Sequence, residues 1–261
     1  MPSEVLRDQV AIVTGGTRGI GCAIASAFLD AGATVVINGR SAEKGHATVA
    51  ELGGGDNLRF IQADVKQRTE VESLVDRTVA EFGRLDILVN NAGGAANNAY
   101  VVDLTDEALE DALRWNVWST FWAMRRALQT MIPQRSGRII NMASVEAKDG
   151  LAGNVSYVMG KRAIVGLTRV CAKEVAEYGI TVNALCPGLI ETDLVMAEAP
   201  SVAAAMGITY AELCQRFGDA SSIKRMNAVE EVAAVALLLA TPNGAAVTGA
   251  SISIDGGTAA Y

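Results

Sequence analysis

Histidine is nearly absent from this chain: His46 is the single one among 261 residues. A mechanism built on several histidines, or a His-rich metal site, is therefore excluded, and no metal is expected. Cysteine is scarce as well, and Cys22, Cys171, Cys186 and Cys214 include no pair at the close spacing of a zinc knuckle or a redox Cys-x-x-Cys. A chain of this length buries a core without disulfides, so free, mostly buried thiols in a reducing, cytoplasmic compartment are expected. Long apolar runs are missing too. The longest, Val232–Ala240, falls far short of the roughly 20 residues that span a membrane. The opening MPSEVLRDQV is polar and lacks the apolar stretch of a signal peptide. Nor is there an excess of basic charge. A formal net charge of −7 disfavours nucleic acid and membrane surfaces as partners and leaves a small molecule. What remains is 50% apolar and 20% charged, with 26 Gly and 5 Pro, the make-up of a packed globular protein.

Short β-branched runs recur along it: Val10–Thr14, Thr34–Asn38, Leu58–Gln62, Asp86–Asn90, Arg138–Met142, Thr181–Leu185 and Ala250–Ile254. Near-continuous apolar runs suit strands covered on both faces of a parallel sheet. The segments between them have helical spacing; over Glu70–Phe82 the residues Val71, Leu74, Val75, Val79 and Phe82 form one stripe. This alternation predicts an α/β fold: a Rossmann-type, doubly wound parallel sheet of seven strands flanked by helices, in one domain over 1–261. Residues 189–227 read as an insertion with no clear strand, placed to cover a ligand cleft. The run Trp115, Trp118, Phe121 and Trp122 has helical spacing and reads as core or subunit-interface packing. His46, in a polar stretch, reads as solvated.

The first strand runs into Thr14–Gly21, TGGTRGIG, and then a helix. Its glycines Gly15, Gly19 and Gly21 are spaced G-x-x-x-G-x-G. Such a turn brings bare backbone N–H groups and a helix N-terminus against a pyrophosphate, or else merely packs helix on strand. The second strand ends in Gly39 and Arg40, where NAD-binding folds carry an acid. Arg18 stands at the start of the helix, where its charge opposes the dipole unless a phosphate neutralises it. Two guanidiniums and no carboxylate point to a ribose 2′-phosphate, hence NADP(H), or else the two are solvated surface arginines. Asp64, after the third strand, either accepts from an adenine amine or caps a turn.

Tyr157 and Lys161 lie four apart in a strongly helical stretch and share a helix face. A neighbouring ammonium lowers a phenol's pKa, so the pair is expected to act as a general acid–base without histidine. Ser144 follows the fifth strand, Asn90–Gly93 (NNAG) closes the fourth, and both fall at the strand ends where ligands bind. Glu146, two residues past Ser144, is a substrate contact, a buried paired acid or a loop-surface acid. Gly160, in mid-helix, suggests close packing against a neighbouring helix.

TGGTRGIG, NNAG, Asn116, Ser144, Tyr-x-x-x-Lys, Cys186–Gly188 (CPG) and Ile254–Gly257 (IDGG) occur in order over nearly the whole chain. As a set they resemble the short-chain dehydrogenase/reductase family, in its form of about 250 residues with TGxxxGIG, NNAG and YxxxK motifs. The resemblance implies a tetrad of Asn116, Ser144, Tyr157 and Lys161. In it Ser144 polarises the carbonyl, Tyr157 passes the proton, Lys161 holds the nicotinamide ribose, and Asn116, through a helix kink, anchors a water that relays to Lys161. It further implies cofactor contacts from Gly15, Thr17, Arg18, Gly19, Ile20, Arg40, Asp64, Val65, Asn91, Ala92, Gly93, Tyr157, Lys161, Pro187, Gly188, Ile190 and Thr192. A homotetramer is implied as well, through the Asp106–Met131 and Val155–Tyr178 helices and the C-terminal strand.

The leading expectation is thus an NADP(H)-dependent ketone reductase or alcohol dehydrogenase of carbonyl or 3-ketoacyl type. Two alternatives stand beside it: an NAD-linked dehydrogenase of a secondary alcohol, diol or hydroxysteroid, and a catalytically silent nucleotide-binding scaffold. Leu194, Val195, Met196, Met206, Ile208, Leu213 and Phe217 in the insertion favour a partly apolar substrate.

Overall fold

All seven runs form strands of one parallel sheet; six carry apolar side chains on both faces, and the last, Ser251–Ile254, turns Ile252 and Ile254 to one face and serines to the other. In chain order the elements are β1 (Val10–Val13), α1 (Gly19–Asp30), β2 (Thr34–Gly39), α2 (Ala42–Glu51), β3 (Leu58–Gln62), α3 (Arg68–Phe82), β4 (Ile87–Asn90), α4 (Asp106–Leu113), α5 (Ser119–Gln134), β5 (Gly137–Met142), α6 (Val155–Val175), β6 (Ile180–Pro187), β7 (Ile190–Glu191), α7 (Asp193–Ala205), α8 (Tyr210–Asp219), β8 (Asn227–Ala228), α9 (Val229–Ala240) and β9 (Ser251–Ile254). The structure, a computed structural model, describes residues 4–95 and 98–259, without the side chains of Asp193, Leu194, Glu198, Val202 and Ala205. The first three residues of the polar amino-terminal segment and the Leu194 side chain, read above from the sequence, lie outside the described residues.

The sheet order is β3-β2-β1-β4-β5-β6-β9, with every pairing parallel. Alternate residues serve opposite layers. Val13, Val35, Ile37, Val89 and Ile140 pack with Ile24 and Phe28 of α1 and Val232, Ala236 and Leu239 of α9. Their neighbours Ile12, Val36, Leu88, Ile139 and Val182 pack with Leu74 and Val75 of α3, Met124 and Met131 of α5, and Cys171 and Val175 of α6. The strand order reverses between β1 and β4, so their carboxyl ends open a crevice where ligands bind in such sheets.

Two features refine the sequence reading. The helix kink expected at Asn116 is a π-helical turn at Arg114–Trp118 within the Asp106–Met131 helix, closed by a Ser119 N–H to Arg114 C=O bond. The insertion does contain strand: β7 and β8 pair in parallel, Ile190 with Asn227 and Glu191 with Ala228, tying its two roots together. Between them α7 and α8 share a small apolar cluster of their own, Ala199, Ala203 and Leu213 with Ile208 and Phe217.

Candidate active site

The crevice begins where β1 turns into α1. Gly15 (φ 64°) and Gly19 (φ 53°) take left-handed backbone that favours glycine. Gly21 is required by proximity, since a Cβ there would lie 2.4 Å from the Gly15 carbonyl oxygen. The NNAG segment locks this turn. Thr14 Oγ1 accepts the N–H groups of Asn91 and Ala92, both at 3.0 Å, and Asn91 Nδ2 donates to the Thr14 carbonyl at 2.9 Å. Arg18 precedes α1 without a side-chain cap, and the first turn holds no acid, so the leading N–H groups stay open to an anion.

These residues border a cavity of about 360 Å³, with Gly15, Thr17, Arg18, Gly19, Ile20, Arg40, Asp64, Val65, Asn91, Ala92, Gly93 and Thr192 on its wall. Arg18, Arg40 and Lys44 meet there, and none of the three forms an ion pair among the described residues. Three unpaired cations beside an open helix N-terminus fit a dinucleotide with an extra phosphate. Lys44 went unread in the sequence, where a lysine in the first turn of a helix looks like solvated charge. The Ser41 hydroxyl, accepting the Lys44 N–H at 3.3 Å, sets that turn over the cavity. Gly39 has no positive φ; a Cβ there would instead meet Thr17 Cγ2 at 2.9 Å. Asp64 does cap a turn, its Oδ1 accepting the Lys66 N–H at 3.0 Å. Of the aromatic run, Trp122 is buried and Trp118 is exposed, whereas Trp115 lines this cavity, a role that packing arguments missed.

A second cavity of about 590 Å³ adjoins the first, and Ile20, Asn91, Gly93 and Thr192 border both. Ser144, Tyr157, Lys161, Pro187, Gly188 and Ile190 line it. The expected residues therefore come together in one continuous cleft, except Asn116, which stands behind it. Ser144 leaves β5, and Tyr157 and Lys161 stand on one face of α6. The Ser144 hydroxyl hydrogen-bonds the Tyr157 phenol. Lys161 is buried, donates to the Met142 carbonyl at 2.8 Å, and holds its Nζ 5.4 Å from the Tyr157 ring centroid.

The Asn116 amide is spent on backbone. Its Oδ1 accepts the Gly94 N–H at 3.1 Å, and its Nδ2 donates to the carbonyls of Gly94 and Ala112, each at 3.0 Å. It thus pins the NNAG loop to the π-helical turn. A Cβ on Gly93 would lie 2.6 Å from Asn116 Oδ1 and 3.4 Å from Lys161 Nζ, so both side chains converge on that glycine. Gly160 is explained by the same packing: a Cβ there would sit 3.3 Å from Asn116 Cβ.

In the protein alone the Tyr157 pKa is raised. Burial is the largest cause, a hydrogen bond from Ser144 opposes it, and the charges of Glu146 and Cys186 add to it. Lys161 is itself pushed down to about 8 by burial, with Cys186 pulling the other way. Burial thus favours the protonated phenol in the protein alone.

Comparison with known proteins agrees with this geometry. A family model described as short chain dehydrogenase matches residues 9–202. The D-beta-hydroxybutyrate dehydrogenase of Rhizobium meliloti is 37% identical over 254 residues, covering 95% of this chain and 98% of that protein. The 3-oxoacyl-acyl-carrier-protein reductase of Chlamydia pneumoniae is 35% identical over 247 residues, covering 94% and 95%. Among solved structures, an actinorhodin polyketide ketoreductase variant with NADPH superposes with a TM-score of 0.92 at 32% identity, covering all of both chains. With a parallel sheet in this order, a glycine turn locked by NNAG, and serine, tyrosine and lysine gathered in one cleft, the chain belongs to the short-chain dehydrogenase family.

Proposed function

We propose that this chain reduces a ketone with NADPH. The observation that carries the reading is the junction of two sites. A cavity edged by Arg18, Arg40 and Lys44 opens directly onto one holding Ser144, Tyr157 and Lys161. The NADPH in the ketoreductase structure of the same shape, and the relatives named as reductases, support it. The filled Ser–Tyr–Lys set disfavours a silent scaffold, and the absence of an acid at Gly39 disfavours NAD.

Gly15, Thr17, Ile20 and Asn91–Gly93 hold the dinucleotide, Arg18, Arg40 and Lys44 its extra phosphate, and Pro187, Gly188, Ile190 and Thr192 its nicotinamide end. The cofactor supplies the hydride. The protein's part is the proton. Ser144 donates a hydrogen bond to the carbonyl oxygen and orients it towards Tyr157. The neutral Tyr157 phenol then protonates the oxygen as negative charge develops there, which suits the reducing direction. The Lys161 ammonium, fixed by Met142, stabilises the phenolate left behind. The Asn116 side chain positions Gly94, and the kink at Asn116 anchors the water that relays to Lys161. Asp64 and Val65 close the adenine end.

The segment 189–227 covers the cleft as a lid, because Leu189, Ile190, Thr192 and Val195 reach the substrate cavity. The exposed faces of Trp118 and Met159, 48% and 44% accessible, support burial in a homotetramer. The four cysteines form no disulfide, which supports a reducing cytoplasm. No helix among the described residues is long and apolar enough to cross a membrane. A screen of NADPH and NADH oxidation against a panel of cyclic, aromatic and acyl ketones tests the reading. It expects turnover with NADPH on at least one ketone, and no turnover on any of them contradicts it.

A further inference from the structure

The substrate cavity carries a carboxylate that ketone reduction does not use. Glu146 lines it beside Tyr157. Its N–H donates to Ser144 Oγ at 3.2 Å, so its position is tied to that of the serine. Its Oε2 accepts Asn154 Nδ2 at 2.8 Å, and no cation pairs with it among the described residues. Asp149, the other acid on this wall, is exposed and accepts its neighbour Gly150's N–H.

Holding a half-buried carboxylate without a cation is costly. The cost appears twice. Burial raises the Glu146 pKa, and its charge raises that of Tyr157. Local structure gives no reason for the charge. Asn154 is 6% exposed, and its Oδ1 is buried without a donor, which a carboxylate cannot supply. A glutamine at 146 could serve both ends of that amide. The carboxylate is thus the poorer choice for the fold, and its remaining oxygen is left for whatever enters the cavity.

We propose that Glu146 selects the substrate: its carboxylate accepts a hydrogen bond from a hydroxyl or ammonium group carried by the ketone, and repels ketones that carry a carboxylate. The inference rests on the reductase reading above and narrows it to donor-bearing ketones. A buried acceptor left unpaired discriminates against the analogue lacking the donor. A methyl group in the donor's place strands the oxygen, and an anion adds repulsion.

The test is NADPH-dependent reduction of cyclohexanone and of cyclohexanones bearing methyl, hydroxyl, ammonium or carboxylate, either next to the carbonyl or across the ring. In wild type, kcat/KM for the hydroxyl or ammonium ketone should exceed that for its methyl match by about tenfold or more at one position, with the carboxylate poorest. Glu146→Gln keeps an acceptor and loses the charge. It should erase the ammonium advantage and the carboxylate penalty, keep the hydroxyl preference, and leave the melting temperature unchanged or raised. Glu146→Leu should erase the hydroxyl preference too. Unchanged ratios in both variants overturn the role of Glu146 and leave the reductase reading standing. Failure of wild type to reduce any of these cyclohexanones with NADPH overturns the inference about Glu146, while the reductase reading falls only if the aromatic and acyl ketones fail as well.

Discussion

The Lys161 ammonium lies 5.4 Å from the centroid of the Tyr157 ring while donating at 2.8 Å to the Met142 carbonyl. It is buried with no carboxylate partner among the described residues, and burial lowers its pKa to about 8. An unfolded lysine keeps its proton to roughly pH 10.4. Within that window the unfolded state binds the additional proton, so raising the pH through it stabilises the fold. Below about pH 8 the folded chain bears the full cost of the buried charge, about 3 kcal/mol by this shift. Lys161→Met removes the charge and leaves the Met142 carbonyl without its donor. Melting at about pH 7 should show a Tm unchanged or raised by about 2–4 °C, with the gain vanishing near pH 10, while turnover falls about a hundredfold or more. A clear drop in Tm at neutral pH would show that the ammonium stabilises the fold.

Arg40 is proposed as a partner of the extra phosphate. Arg40→Ala should weaken NADPH by about ten- to a hundredfold and leave NADH within about twofold, since only the phosphate loses its charged partner. Lys44→Ala should give a smaller loss of the same kind. Gly39→Asp adds a carboxylate that accepts from the ribose hydroxyl and repels the phosphate. The obstacle is Thr17 Cγ2, 2.9 Å from the new Cβ, so Thr17→Ser should accompany it. The readout is kcat/KM for both cofactors, with circular dichroism to check the fold. Equal losses of both cofactors in Arg40→Ala contradict the assignment.

The lid should move as a body. The α7–α8 cluster is separate from the main core, and the β7–β8 pair anchors both roots. Hydrogen exchange over α7 and α8 should slow when NADPH and a ketone are both bound, while β7 and β8 change little. Strong, equal protection with and without ligands contradicts a lid.

Light scattering should report about four chains, and Trp118→Glu, which places a charge on the exposed aromatic face, should yield smaller species. An active wild-type monomer contradicts the assembly.

The sheet was legible because every strand but the Ser–Ile alternation of β9 is apolar on both faces, as Ile12 and Val13 show by packing into opposite layers. The glycine turn, NNAG and the Tyr–Lys pair were legible because each depends on a particular residue at a particular spacing. The kink at Asn116 came with the family resemblance, but its π-helical form was not legible, since a single i+5 turn carries no residue-type signature of its own. The β7–β8 pair holds two residues per strand, too few for a period of two to register. The raised Tyr157 pKa escaped because spacing reports which side chains are neighbours and says nothing of how deeply they are buried.

The central claim is that Tyr157 gives the proton to a ketone reduced by NADPH. Its most direct test is Tyr157→Phe, which keeps the ring and removes only the acid. Measured with NADPH and any ketone that wild type reduces, turnover should fall by about a hundredfold or more while NADPH binding, followed by fluorescence, is unchanged. Turnover equal to that of wild type would contradict the account.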